Sequence, residues 1–118
     1  MLIETLKANF EYEDPRGNIR QLVRRGYSQI NVITSKLGVI RGGHYHKYNT
    51  EAFYIISGRC KVTATREAKT EIKEFKTGDF FRVGPYVLHD FEYLEDTTLI
   101  SMYSLGVELN DETMDIYT

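Results

Sequence analysis

The 118-residue chain is 42% hydrophobic and 13% aromatic, with Lys+Arg 15 against Asp+Glu 17 and a formal net charge of −2. That length predicts one domain, 1–118, able to bury a core without disulfides. The charge balance argues against nucleic acid and against a polybasic membrane patch, and the single cysteine excludes an intramolecular disulfide. No apolar run approaches the ~18 residues of a membrane helix, and no basic segment followed by an apolar one opens the chain. A soluble, cytoplasmic protein is therefore expected.

In chain order, short apolar runs with period-two alternation dominate, and helical periodicity is missing. Residues 1–26 form an N-terminal strand and hairpin region. Phe10-Glu11-Tyr12 is followed by the turn signal Asp14-Pro15-Arg16-Gly17 and then by Ile19 to Val23, which reads as a hairpin. Ser28 to Lys36 is rich in β-branched residues, and a glycine-punctuated stretch runs from Gly38 to Gly43. Phe53 to Ile56 and Lys61 to Arg66, separated by Ser57-Gly58-Arg59, predict a second hairpin, with Cys60 as a small buried hydrophobe. Thr70 to Phe75, Phe80 to Val83, Leu88 to Tyr93 and Thr98 to Leu105 complete the series, and Asp111 and Glu112 would suit the first turn of a short helix. Strands at this spacing predict an all-β sandwich or barrel.

Two of the three histidines are His44 and His46. Alternation by two puts both on one face of a strand, with Tyr45 on the other. Glu51 follows after a short interval in which a tight bend brings it back beside the pair, and His89 opens a later strand. Imidazoles with one carboxylate form a common set for Zn, Fe, Ni, Mn or Co, and three neutral rings with one anion leave a divalent centre net positive with open positions. That suits Lewis-acid chemistry or ligand chelation. Each residue alone also fits a plainer role: a rim histidine, a solvated glutamate, a histidine on a backbone carbonyl.

Taken together, these residues resemble the cupin superfamily. Its first motif is glycine, five residues, His-x-His, three or four residues, Glu, six residues, glycine; Gly38, His44, His46, Glu51 and Gly58 meet every position across 38–58. Its second motif matches at Gly78, Pro85 and His89 within 78–93, with Tyr86 where glycine is usual and Tyr93 where asparagine is usual. The resemblance implies a double-stranded β-helix, a jelly-roll-like barrel with His44, His46, Glu51 and His89 pointing inward as metal ligands. It also implies a homodimer built through N-terminal strands, with residues from Leu2 to Tyr12 in that part.

Two further stretches narrow the resemblance. Asp14 to Gly17, Asn31 to Ser35, and Gly38 to Tyr45 look like the deoxythymidine-diphosphate-4-dehydrorhamnose 3,5-epimerases, whose Arg-Gly-x-His-Tyr element carries a catalytic histidine. By that resemblance Arg41 contacts a diphosphate and His44 is the base. Those enzymes lack a histidine at the position of His46 and work without metal. Gly43 to Phe53, Ser57-Gly58 and Tyr103 to Tyr117 are similar to the C-terminal cupins of capsular-polysaccharide enzymes, which hold a metal and act on nucleotide-linked amino sugars. The expected function is an epimerase or isomerase of a keto nucleotide sugar in surface-polysaccharide synthesis. Tyr103 is the candidate acid, with Tyr54 and Tyr93 as further candidates, and Arg41, Arg82, Tyr54 and Tyr93 are candidates for contacting the ligand. Three alternatives stay open: a non-catalytic sugar-binding or sensing cupin, an Fe(II)-dependent dioxygenase, and a lyase or isomerase of an unactivated sugar or keto acid.

Overall fold

A computed structural model describes residues 1–109 and 112–118. Eleven strands follow one another: β1 (Ile3–Thr5), β2 (Phe10–Asp14), β3 (Gly17–Gln21), β4 (Gln29–Ser35), β5 (Ile40–His44), β6 (Glu51–Ser57), β7 (Arg59–Arg66), β8 (Lys69–Lys76), β9 (Phe80–Val83), β10 (Leu88–Tyr93) and β11 (Thr97–Tyr103). Every pairing between them is antiparallel. One sheet has the order β1-β9-β6-β11-β4, a second β5-β10-β7-β8, and β2 and β3 form a separate hairpin. Among the described residues there is no helix, hence none long and apolar enough to cross a membrane.

Alternation builds the core. Cys60, Val62 and Ala64 from β7 face Phe91 and Tyr93 from β10, while Phe53 and Ile55 from β6 and Phe81 and Val83 from β9 close on them from the other sheet. Phenylalanines stack through the middle: the rings of Phe75 and Phe81 lie 3.7 Å apart, and Phe53 sits 5.2 Å from Phe81 and 4.8 Å from Phe91. A second cluster, Ala52, Phe80 and Met102, lies on the outer face of the larger sheet under Leu6, Leu22, Val23 and Tyr27.

The first hairpin forms as expected, with Asp14 opposite Gly17 and the Asp14 carboxylate accepting the Arg16 N–H. The second does not. β6 pairs with β11 and β9 while β7 pairs with β10 and β8, so Ser57-Gly58-Arg59 is a corner between sheets. Gly58 makes the corner possible: its φ is +109°, and a Cβ there would meet Thr97 Oγ1 at 2.4 Å and the Asp96 carbonyl at 2.6 Å. The helix expected after Tyr103 is also corrected at Glu112, whose φ of 68° is left-handed; Asp111 lies outside the described residues.

The two sheets leave a seam on each side. On one, Glu71 of β8 accepts the N–H groups of Leu2 and Ile3 beside β1. On the other, Arg41 of β5 reaches the end of β4, where Nε donates to Ser35 Oγ and Nη2 to the Thr34 carbonyl. Cys60 is fully buried, which pushes its thiol up to about 12 and leaves it unreactive.

Phe81 carries the core test. It is fully buried between two rings, so Phe81→Ala is expected to cost about 3–5 kcal/mol in urea unfolding, whereas Ile72→Ala, at an exposed position, costs under about 0.5 kcal/mol.

Candidate functional site

The inward faces of four strands deliver the site. His44 ends β5 directly opposite His89 of β10, and the register shifts between His89 and Asp90. Glycine at position 42 permits this approach: a Cβ there would lie 2.7 Å from the His89 carbonyl. Glu51 opens β6, and Tyr103 lies opposite it on β11. Before His89 the chain turns through Tyr86, whose φ of 65° supplies the left-handed conformation that glycine usually provides.

Between His46 and Glu51 the chain bends around one acid. The carboxylate of Asp115, fully buried, accepts the N–H groups of Lys47 (2.8 Å), Tyr48 (3.0 Å) and Asn49 (3.1 Å) and the Asn49 side-chain amide (2.8 Å). Successive backbone N–H groups aimed at one anion form a nest. Its effect is to return Glu51 to the side of His46.

Ligating atoms of His44, His46, Glu51 and His89 all lie within 4.8 Å of one another. Glu51 Oε1 is 3.0 Å from His46 Nε2 and 3.2 Å from His89 Nε2, and Oε2 accepts the Ser101 hydroxyl at 2.5 Å. The other ring nitrogens settle the tautomers. His46 Nδ1 faces the Asp115 carbonyl at 2.6 Å and His89 Nδ1 faces the Val87 carbonyl at 2.9 Å; a carbonyl only accepts, so each Nδ1 carries a proton. In the neutral rings both Nε2 lone pairs then point at a carboxylate oxygen. Such an arrangement calls for positive charge at its centre, as protons on the rings or as one cation. Two ligand atoms on opposite sides of a metal bound at ~2.0–2.2 Å stand roughly 4 Å apart, so this donor set fits a divalent ion.

The electrostatics agree. Burial pushes the Glu51 carboxyl up, but hydrogen bonds from His46, His89 and Ser101 outweigh it and hold the group at about 2. Burial works against a charged His46, yet the Glu51 hydrogen bond and the Asp115 carbonyl raise its pKa. His44, half-buried, is lowered by burial and by the neighbouring imidazoles of His89 and His46. Burial and the Glu51 charge keep the Tyr103 hydroxyl well above the usual phenol range; its ring stands perpendicular to His46 at 5.3 Å.

The other candidates lie elsewhere. Tyr93 is buried in the core beside Phe91, and burial raises its hydroxyl against an opposing hydrogen bond with Ser35. Arg41 lines a cavity of about 380 Å³ with Thr34, Ser35, Lys36 and Thr98, which none of the four clustered residues lines. Tyr54 and Arg82, expected at the ligand, are on the outer face of the larger sheet. Tyr54 packs against Phe80 and accepts from Arg20 at 2.7 Å, and Arg82 forms a forked ion pair with Glu4 at 3.0 Å. The reason is pleating: Tyr54 falls between inward Phe53 and Ile55, and Arg82 between inward Phe81 and Val83. Sequence reasoning missed Ser101, Asn49 and Asp115. Only Ser101 left a signal, as a hydroxyl at an inward position between Leu99 and Tyr103.

A family model described as polysaccharide biosynthesis C-terminal domain matches residues 12–117. A curated relative, the UDP-2-acetamido-2,6-beta-L-arabino-hexul-4-ose reductase of Pseudomonas aeruginosa, is 33% identical over 73 residues, which are 61% of this chain. The match spans 18% of that relative's length. Among solved structures, the TDP-quinovose 3,4-ketoisomerase of Campylobacter jejuni aligns at a TM-score of 0.80 with 16% identity, covering 96% of this chain and 92% of its own. The dTDP-4-dehydrorhamnose 3,5-epimerase of Sulfolobus tokodaii aligns at 0.71 with 21% identity, covering 87% and 75%. These likenesses establish the all-β cupin barrel.

The Glu51 shift sets an acid limb of stability. A carboxyl held near 2 in the folded state and near its ordinary 4.5 in the unfolded state contributes stability above pH 4.5 that is lost as pH falls toward 2. With chelator present, the thermal midpoint is expected to drop between pH 4.5 and 2, and to drop less in Glu51→Gln. An equal drop in both proteins would show that this carboxyl is not held down.

Proposed function

The chain belongs to the polysaccharide biosynthesis C-terminal domain family, and from that premise we propose that it is a metal-binding epimerase or isomerase of a keto sugar carried on a nucleoside diphosphate, acting in surface-polysaccharide synthesis. One observation carries the reading: a half-buried His44 and a buried Tyr103 hydroxyl border a carboxylate on which two tautomer-locked imidazoles converge. The names of the relatives support the substrate class, since the reductase concerns a UDP-linked 4-ulose and the two solved structures TDP-linked sugars.

A divalent transition metal (Zn, Fe, Ni, Mn or Co), held by His46, Glu51 and His89, would supply Lewis-acid polarisation of the sugar carbonyl, with His44 beside the same centre keeping its lone pair for the substrate. The chain's own residues supply the proton traffic. His44 is the most open of the four, and its lowered pKa leaves a neutral ring at pH 7, as a base needs. Tyr103 keeps its proton because burial and the Glu51 charge oppose a phenolate, so it donates toward the oxygen that gains charge as the C–H bond breaks. Arg41, with N–H donors beyond those on Ser35 and Thr34, is assigned the diphosphate, and Tyr93 supports it from the core. Arg82 and Tyr54 take no part.

The deciding measurement is hydrogen exchange. Incubated with a 4-keto nucleotide sugar in heavy water, the protein is expected to place deuterium on a ring carbon next to the carbonyl. His44→Asn is expected to slow this by about 10²–10⁴-fold while bound metal remains, and Tyr103→Phe to slow it as well. Binding without exchange across such sugars would overturn the enzyme reading in favour of a sensing cupin, and oxygen consumption would favour a dioxygenase.

The protein is also assigned as a homodimer. Phe10, Tyr12 and Ile19 stand exposed, with Tyr12 directly opposite Ile19 on the β2–β3 hairpin, and a second copy is their proposed cover. Light scattering is expected to give twice the chain mass for the wild type, and a lower mass at equal concentration for a Tyr12→Ser, Ile19→Ser variant.

A further inference from the structure

We propose that Asp115 is the positioning residue of the site: its main-chain carbonyl locks His46 in the Nδ1–H tautomer while its carboxylate holds the 47–49 bend that sets Glu51 against that ring. Both halves are on the molecule. The carbonyl takes the His46 Nδ1 proton at 2.6 Å, and the carboxylate gathers three backbone N–H groups and one amide. One residue thus references both the imidazole and the start of the strand carrying Glu51. It lies far along the chain from either, 69 residues from His46.

Asp115 can serve as a reference because it is itself fixed. It is fully buried, and its N–H donates to the Val107 carbonyl at 2.8 Å. On its other side Tyr45 and Tyr117 exchange two backbone hydrogen bonds at 2.8 and 3.0 Å, and their rings lie 5.5 Å apart. The Lys47 ammonium sits over the Tyr117 ring at 4.2 Å. Asn49 completes the frame: Nδ2 donates to the Gly106 carbonyl and Oδ1 accepts the Leu105 and Gly106 N–H groups. The segment from Leu105 to Tyr117 is thereby clamped to residues 45–49, which follow β5 and carry His46.

Asparagine at 115 would turn an amide N–H against backbone N–H groups and displace both halves together. The test uses labelled, chelator-treated protein at a pH where His46 is neutral, with its ¹⁵N resonances assigned by substitution. Wild type is expected to show a ring locked as Nδ1–H, and Asp115→Asn a ring shifted toward a mixture of tautomers. Asn49→Ala removes one of the four donors on the carboxylate together with the clamp on Leu105 and Gly106, and is expected to shift the ring in the same direction. Cobalt(II) affinity, followed by its visible spectrum, is expected to fall about 10–100-fold in Asp115→Asn. Glu71→Gln loosens the far seam and is the control for mere loss of stability; it is expected to lower the thermal midpoint and leave both readouts alone.

The cobalt readout rests on the metal reading, whereas the tautomer readout does not. If cobalt fails to bind wild type while the ring lock is present and depends on Asp115, the metal reading falls and the positioning role stands. An unchanged His46 ring in folded Asp115→Asn or in Asn49→Ala would overturn the positioning role, as would an equal shift in Glu71→Gln.

Discussion

A carboxylate sealed inside an apolar barrel is the constraint around which this molecule is arranged. Glu51 is 3% exposed, and removing an unpaired carboxylate from water costs several kcal/mol even after relaxation. Its two oxygens are met by His46, His89 and Ser101, delivered respectively by the bend before β6, by β10 and by β11. No two of these neighbours come from the same strand. Sheet order, register and the irregularity between His89 and Asp90 are therefore coupled to the chemistry of one side chain.

How much of this was legible depends on whether the relevant contacts are local. The His-x-His pair, Glu51 and the glycines around them lie within a short stretch, and the spacing alone brings their atoms near one another. His89 was legible through its motif. Tyr54 and Arg82 lie away from the cluster, and the information for that was present: counting by twos from inward Phe53 and Phe81 sends both outward, where Arg20 and Glu4 engage them. The turn at 57–59 deceived for another reason. Two apolar strands joined by Ser-Gly-Arg look the same whether they pair or part, and the later strands decide which: β9 and β11 take β6, and β8 and β10 take β7. Asp115 gave no sign, since an aspartate near Tyr117 reads as solvated until the fold carries it onto residues 46–49.

The barrel also divides its labour between faces. Inward positions hold the stacked phenylalanines and the ionisable cluster, so the site is backed by stiff aromatic packing. The outer face of the larger sheet carries a separate apolar cluster beneath the N-terminal segments, with the Arg20–Glu11 and Arg82–Glu4 pairs nearby. Exposed ion pairs of this kind contribute roughly 0–1 kcal/mol, so they orient that surface more than they stabilise it.

The corner at Gly58 has a kinetic side. Because β6 and β7 join different sheets, the chain gains no pairing across that corner; β7 zips onto β8 beside it, whereas β6 must wait for β9 and β11. Loop-closure entropy is then paid before the contacts that offset it, which places this barrel among the slow, high-contact-order folders. β11, which pairs with both β4 and β6, is the strand that unites the larger sheet, and the segment bearing Asp115 comes after it. On the ribosome the ionisable cluster can be assembled only once β10, β11 and the segment bearing Asp115 have emerged, so until then it is nascent strands with open edges that need protection from one another.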